Sequence, residues 1–242
     1  MKTPTPSFLN NDDDVVYVIE DDEQVRDALG SLIRSAGHRV ATFAAPEDYL
    51  SRHRRGSGGC LVLDVWLPGM SGLELQAALR SAGSDLPVIF ISGQGDIPMT
   101  VRAMKDGALE FLPKPVPAQK LLDAIGQALQ SSRRAQRHAR ELEVLRSRCA
   151  TLTERERQVL AGIVAGKRNK QVAADLGVSE ITVKIHRRHI MSKMSASSLA
   201  GLVLMVARMS AAEPEPRYFA DGGPLRKESD VLWPGSPVHH DR

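Results

Sequence analysis

A doubly wound α/β fold with a five-stranded parallel sheet, followed by a small all-α helix-turn-helix domain, is the architecture this 242-residue chain predicts. Three observations carry that expectation. Short apolar runs alternate five times with helix-period segments over residues 1–130, the pattern of a parallel sheet with covering helices. Several of those runs stop on an acid, a hydroxyl or a lysine, as strands do where open α/β sheets place ligands. Charge is segregated along the chain: residues 1–130 carry a net −5, residues 131–210 a net +10 and residues 211–242 a net −2. A basic segment between acidic ones points to a polyanion partner for that segment, with a solvated basic linker as the plainer alternative.

The elements follow in order. Residues 1–13 hold one lysine, two prolines and acidic residues, with no apolar stretch of the kind a signal peptide needs, and are expected to be a disordered tail. Val15 to Ile19 is a continuous apolar run, hence a central strand. Glu23 to Ala36 carries Val25, Ala28, Leu29, Leu32 and Ile33 at helical spacing and stops before Gly37. Arg39 to Phe43 reads as a second strand, and Pro46 to Arg54 as a helix opening on proline. Leu61 to Leu63 is the third strand, ending at Asp64, and Leu73 to Ala82 the third helix. Val88 to Ile91 is the fourth strand, ending at Ser92-Gly93, with a helix over Pro98 to Asp106. Leu109 to Leu112 is the fifth strand and Pro117 to Leu129 the fifth helix. Residues 14–130 thus form the first domain. Residues 131–150, rich in Ala, Arg and Glu with Leu142 and Leu145 as a thin seam, read as a helical linker. Residues 151–210 form a domain of about four helices, and residues 211–242 a disordered tail.

No apolar run approaches the roughly 20 residues that span a bilayer, and Cys60 and Cys149 belong to no metal or disulfide pattern. A cytoplasmic protein with two reduced thiols and no membrane partner is expected.

The strand ends bring a constellation to one sheet edge: Glu20-Asp21-Asp22, Asp64, Ser92 and Lys114. Carboxylates so clustered repel, and an oxygen-only set of this kind favours Mg²⁺. A metal beside a carboxylate, with a lysine and a hydroxyl nearby, suits phosphoryl transfer. Taken singly, Asp21 and Asp22 are equally well read as helix N-terminal acids, Phe111 as core and Ser92-Gly93 as a turn.

Four fragments in order, Val-Ile-Glu-Asp-Asp-Glu, Leu-Val-Leu-Asp with Pro-Gly-Met-Ser-Gly, Ile-Ser-Gly-Gln-Gly-Asp and Glu-Phe-Leu-Pro-Lys-Pro, give residues 14–130 a pattern that resembles the receiver domain of two-component response regulators. The resemblance implies Asp64 as phosphoacceptor, Glu20, Asp21, Asp64 and the backbone carbonyl of Trp66 as the Mg²⁺ ligands, Ser92 and Phe111 as the switch pair, and Lys114 as the phosphate partner. It also implies a cis Lys114–Pro115 bond. Two positions depart from the common pattern: Glu20 stands where many relatives have Asp, and the bulky Trp66 lies two residues after Asp64. We expect Trp66 to exclude water and slow loss of the phosphoryl group.

In the second half, Val172, Ala173 and Leu176 form an apolar stripe, Gly177 permits a tight turn and Ser179 is placed to cap the next helix. On Glu180 to Met194, Val183, His186, Ile190 and Met194 share one face and the basic residues lie elsewhere. A helix with an apolar back and a cationic front fits the major groove. With Leu152-Thr153-Glu154-Arg155-Glu156-Arg157 and Gly166-Lys167-Arg168-Asn169-Lys170, this segment looks like the LuxR-type helix-turn-helix of the NarL/FixJ family. The resemblance implies base contacts from Lys184, Ile185 and Arg188, and phosphate contacts from Asn169, Lys170, Thr182, Arg187 and Lys193. Leu199, Val203, Val206 and Met209 are either core or part of a dimer contact.

The combined expectation is a phosphorylation-controlled transcriptional regulator. Its partners are a sensor histidine kinase, double-stranded promoter DNA and a second copy of itself when phosphorylated or on DNA, with RNA polymerase a candidate. It is not an enzyme beyond its own phosphorylation and dephosphorylation. Two rivals stand beside it. One is a constitutive DNA-binding regulator whose receiver is only a dimerisation module. The other is a small-molecule phosphohydrolase, which lacks the second aspartate that such enzymes need where Trp66 stands.

Overall fold

The computed structural model describes residues 14–52, 58–93 and 97–211. Both expected tails (apart from Ala211), the end of the second predicted helix and the Gln94-Gly95-Asp96 part of the fourth strand-end motif lie outside the described residues. The chain divides into two compact units at His138/Ala139.

The first unit holds five strands: β1 (Val15–Ile19), β2 (Arg39–Phe43), β3 (Gly59–Asp64), β4 (Val88–Ser92) and β5 (Glu110–Pro113). All pair in parallel in the order β2-β1-β3-β4-β5. Around them lie α1 (Glu23–Ser35), α2 (Pro46–Arg52), α3 (Gly72–Ser81), α4 (Ile97–Lys105) and the first part of α5 (Ala118–Ala150). The near-continuous apolar runs of β3 and β4 follow from burial on both faces. Val16, Val18, Val62, Ile89 and Ile91 meet α1 and α5 residues Ile33, Leu121 and Ile125 on one face. Ile19, Leu61, Leu63 and Phe90 meet Tyr49 and Leu75 on the other. Pro113 is tolerated within β5 because β5 is an edge strand, where a missing N–H breaks no ladder bond.

Two differences from the sequence reading have physical causes. Strand β3 starts two residues early because Gly59 and Cys60 pair with Val15 and Val16, although a Gly-Ser-Gly-Gly run reads as loop. Helix α5 does not stop near Leu129 but runs unbroken for 33 residues. Its polar stretch is made of strong helix formers, and its start is held down. Ser132 Oγ accepts from the backbone N–H of Gly59 at 3.2 Å, and Arg133 pairs with buried Asp14. Residues assigned from sequence to a linker therefore pack against the amino ends of β1 and β3.

The second unit packs the end of α5, through Leu145 and Cys149, with α6 (Glu154–Val164), α7 (Asn169–Leu176), α8 (Glu180–Met194) and α9 (Leu199–Ala211). Val206 and Met209 belong to its core, Val203 is half-buried against it and Leu199 is exposed. Among the described residues no single helix is long and apolar enough to cross a membrane. The bent pair α8 and α9 passes by length and composition, but its apolar residues Val183, Ile190, Met194 and Leu202 are fully buried in this core.

Candidate functional site

The sheet order fixes where chemistry can gather. Strand β1 leads to β2 on one side, and the chain then returns to place β3 on the other. The switch point thus lies between the carboxyl ends of β1 and β3, where such sheets form a crevice. Register brings the tips level: Ile19 is opposite Leu63, Asp64 opposite Ile91 and Ser92 opposite Pro113. The residues just past these pairs are Glu20 and Lys114. Positions up to 94 residues apart in sequence thereby converge.

Lys114 is the centre of the cluster. Its Nζ donates to Asp64 Oδ2 at 2.6 Å and to Glu20 Oε1 at 2.9 Å. Its backbone N–H donates to the Ser92 carbonyl at 2.8 Å, which ties the lysine to the tip of β4, and the peptide bond to Pro115 is cis. Burial of the ammonium opposes its charge, but the hydrogen bonds and charges of Asp64 and Glu20 outweigh that and hold its pKa above the ordinary value. Glu20 is 1 % exposed. Burial, reinforced by the charges of Asp64 and Asp21 and opposed by Lys114, pushes its carboxyl above the usual range.

Asp64 is buried at the end of β3, and its Oδ1 accepts from the backbone N–H of Trp66 at 3.0 Å, an Asx-type contact that fixes the carboxylate. Trp66 itself is 55 % exposed, so its side chain meets solvent rather than the core. Gly72 N–H donates to the Val65 carbonyl at 3.1 Å, and the backbone there passes so close to Asp64 that a Cβ on Gly72 would lie 2.2 Å from the Asp64 carbonyl oxygen. The second glycine of the Pro-Gly-Met-Ser-Gly run is therefore a packing requirement of the aspartate itself.

The acids after β1 separate into two jobs. Asp22 is the N-cap of α1, its Oδ1 accepting from the Val25 N–H at 3.1 Å, worth about 1 kcal/mol. Asp21 instead groups with Glu20 and Asp64, with one carboxylate oxygen from each lying within 4.8 Å of the others. Arg26 holds this loop by donating to the Glu20 carbonyl at 2.8 Å and the Asp21 carbonyl at 3.0 Å. Sequence reasoning missed Arg26. The signal was a cation in the first turn of a helix, where the dipole disfavours one. Ser92 is buried at the tip of β4. Phe111 is half-buried, with its ring 6.3 Å from that of Phe90, so it packs against core while keeping one side open.

The acidic triad fits a hard divalent cation by an observation besides its count. Glu20 Oε2 is buried and accepts no hydrogen bond, because the Lys114 ammonium 2.7 Å away is out of line for one. A buried carboxylate oxygen without a donor, next to two further carboxylates, is a ligand atom of the type Mg²⁺ takes.

In the second unit, α7 ends at Gly177 in the left-handed region (φ 64°), and Ser179 caps α8 by accepting from the Thr182 N–H at 3.1 Å. Val183, Ile190 and Met194 are buried and His186 half-buried, while Lys184, Ile185 and Arg188 face solvent. Lys170 is also exposed. Arg187 Nη1 donates to Asn169 Oδ1 at 2.7 Å, joining two residues predicted to meet phosphates. The Thr182 hydroxyl bonds with the Ser179 hydroxyl at 2.9 Å. Lys193 is placed differently from the rest: its ammonium folds inward onto Glu156 Oε2 at 2.7 Å and the Thr151 carbonyl at 3.0 Å. Its contact here is structural, because Glu156 is buried and needs a counter-charge. Glu156 also closes a capping box with Thr153, so the Thr-Glu-Arg-Glu motif carried a legible sign of this role.

Two family models match the chain: response regulator receiver domain over residues 16–126, and bacterial regulatory proteins, luxR family, over residues 150–206. Nodulation protein W of Bradyrhizobium diazoefficiens is 48 % identical over 79 % of this chain and 84 % of its own length. Response regulator protein TmoT of Ectopseudomonas mendocina is 43 % identical over 83 % of this chain and 91 % of its own. The solved structure of response regulator StyR superposes with a TM-score of 0.73 at 47 % identity, covering 81 % of this chain and 99 % of that one. The chain therefore belongs to the response regulators, with a receiver domain followed by a LuxR-type DNA-binding domain.

Proposed function

We propose that this chain is a transcriptional regulator switched by phosphorylation of Asp64, with a histidine kinase as donor and promoter DNA as the target of α8. The observation that carries the reading is the Lys114 ammonium held between Asp64 and Glu20 at the switch point of the sheet. An Asp64 carboxylate oxygen forms the new O–P bond as the P–N bond of a phosphohistidine breaks, the electron pair leaving with the imidazole. Glu20, Asp21, Asp64 and the Trp66 carbonyl would hold Mg²⁺, which when bound offsets the charge of carboxylates and phosphoryl group. Lys114 then pairs with a phosphoryl oxygen in place of the carboxylate. The Ser92 hydroxyl turns to a second oxygen, and Phe111, already packed on one side only, moves into the space released. The face formed by α4, β5 and α5 changes with it, and the DNA-binding unit dimerises on two half-sites.

On the DNA side, Lys184, Ile185 and Arg188 approach base edges, while Asn169, Lys170, Thr182 and Arg187 set register on phosphates. The inward ion pair of Lys193 leaves it a supporting part in that set. Residues 14–130 are the phosphoacceptor domain, 131–150 the helical connection and 151–210 the DNA-binding domain. The protein works in the cytoplasm.

The test is DNA binding by the intact protein and by Asp64→Ala, with and without an acyl phosphate donor plus Mg²⁺, at stated salt. Tighter binding on phosphorylation in the intact protein alone is expected. Equal binding in all four cases would replace this reading with a constitutive regulator whose receiver is only a dimerisation module.

A further inference from the structure

Helix α8 exposes two large aliphatic side chains where solvent alone gives no reason for them. Ile181 is 69 % exposed and Ile185 50 % exposed. They stand four residues apart, on one face of the helix, and Val183 between them points the opposite way into the core with no exposed surface. Lys184 and Arg188 flank the pair and are exposed. Ile181 lies in the first turn of α8, the end of a recognition helix that reaches base edges. It was not among the contacts expected from the sequence.

We propose that Ile181 and Ile185 together read two thymine methyl groups in the major groove, making Ile181 a specificity-determining residue of this protein. The inference rests on the DNA-reading role of α8 proposed above. An aliphatic side chain offers a base edge no hydrogen bond. Among the four bases the thymine 5-methyl is the group that rewards an apolar contact there. The positive charge of Lys184 and Arg188 around the pair suits a polyanion such as DNA better than an apolar protein partner. The spacing sets the register. Four residues advance about 6 Å along a helix, and stacked bases are about 3.4 Å apart. The two methyls therefore belong to base pairs one or two steps apart.

The experiment begins with selection of a binding duplex from a random-sequence pool by the full chain in the presence of an acyl phosphate donor and Mg²⁺. Each thymine in the enriched site is then replaced, one at a time, by deoxyuridine, which removes one methyl and no hydrogen-bonding group. Two positions, one or two steps apart, are expected to lose about fourfold in affinity, the worth of burying one methyl. Ile181→Ser should erase the deoxyuridine effect at one of them and Ile185→Ser at the other. An enriched site indifferent to every deoxyuridine, or a pattern unchanged by Ile181→Ser, overturns this inference and leaves DNA reading by α8 intact. Enrichment of no sequence overturns the DNA-reading role and the inference with it.

Discussion

Adding one methyl at Gly72 tests whether the Pro-Gly-Met-Ser-Gly turn positions Asp64. A Cβ there would sit 2.2 Å from the Asp64 carbonyl oxygen and 3.1 Å from both the Asp64 carbonyl carbon and Leu63 Cγ. Ordinary carbon contacts lie at about 3.5–4.0 Å, so the turn and the tip of β3 must part by more than about 1 Å. Neither side yields easily. Gly72 is tied to Val65 by a backbone hydrogen bond, and Val65 to Ile91 by another. Overpacking of this kind costs about 1–3 kcal/mol, and the upper half of that range is expected because the obstacle is backbone. For a unit of this size the midpoint of thermal unfolding falls by roughly 10 °C. The assay is urea and thermal unfolding followed by Trp66 fluorescence in a Trp233→Phe background, Trp66 being then the one indole left. Gly126→Ala is the control: it lies within α5 with no atom inside 4 Å of the new Cβ, so it should raise stability by about 0.5–1 kcal/mol. If Gly72→Ala unfolded at the parent midpoint and took up phosphoryl groups at the parent rate, the packing argument would be refuted.

Three further outcomes follow from the same contacts. Mg²⁺ should raise the unfolding midpoint of the first unit, by about 1.4 kcal/mol at ten times its dissociation constant, and Asp21→Ala should remove the rise; a midpoint flat in Mg²⁺ would count against the triad as its site. Glu156 has its carboxyl pKa held below the ordinary 4.5: burial opposes this, but hydrogen bonds from Lys193 and Thr153 prevail. Its stabilisation is thus present above about pH 4.5 and lost as pH falls through the lower folded value. Lys193→Met should cost the second unit about 1–3 kcal/mol at pH 7 and flatten its acid limb, as a denaturation series from pH 3 to 7 would reveal. Trp66→Asn should speed loss of the phosphoryl group several-fold by admitting water; equal decay of the two phosphorylated proteins would dismiss a shielding role for the indole.

Much of the first unit could be read from the chain because its signals are local. Apolar runs, Gly stops and the terminal residues of each run place Asp64, Ser92 and Lys114 at one edge once the sheet is parallel. Where local chemistry and tertiary pairing disagreed, tertiary pairing won. Gly59 looks like a turn yet opens β3 by pairing with Val15, and the polar middle of α5 looks like a linker yet is anchored by Ser132 and Arg133. Asp21 and Asp22 are chemically equal neighbours, and only the N-cap geometry of Asp22 tells them apart. The pairing of Lys193 with Glu156, 37 residues away, has no periodic signature. Nor does the exposure of Ile181, which depends on which face of α8 the core claims.

The position of Lys114 has a consequence for the life of the chain before it is complete. Glu20, Asp21 and Asp64 are made first, and the ammonium that bridges Glu20 and Asp64 comes 50 residues after Asp64. At roughly 5–20 residues per second, that interval lasts about 3–10 s. During it β4 has no β5 beside it, and the carboxylates of Glu20 and Asp64 have no ammonium to draw them together. The crevice is therefore complete only once the last strand of the sheet has been made, so the buried carboxylates of Glu20 and Asp64 gain this counter-charge late and together.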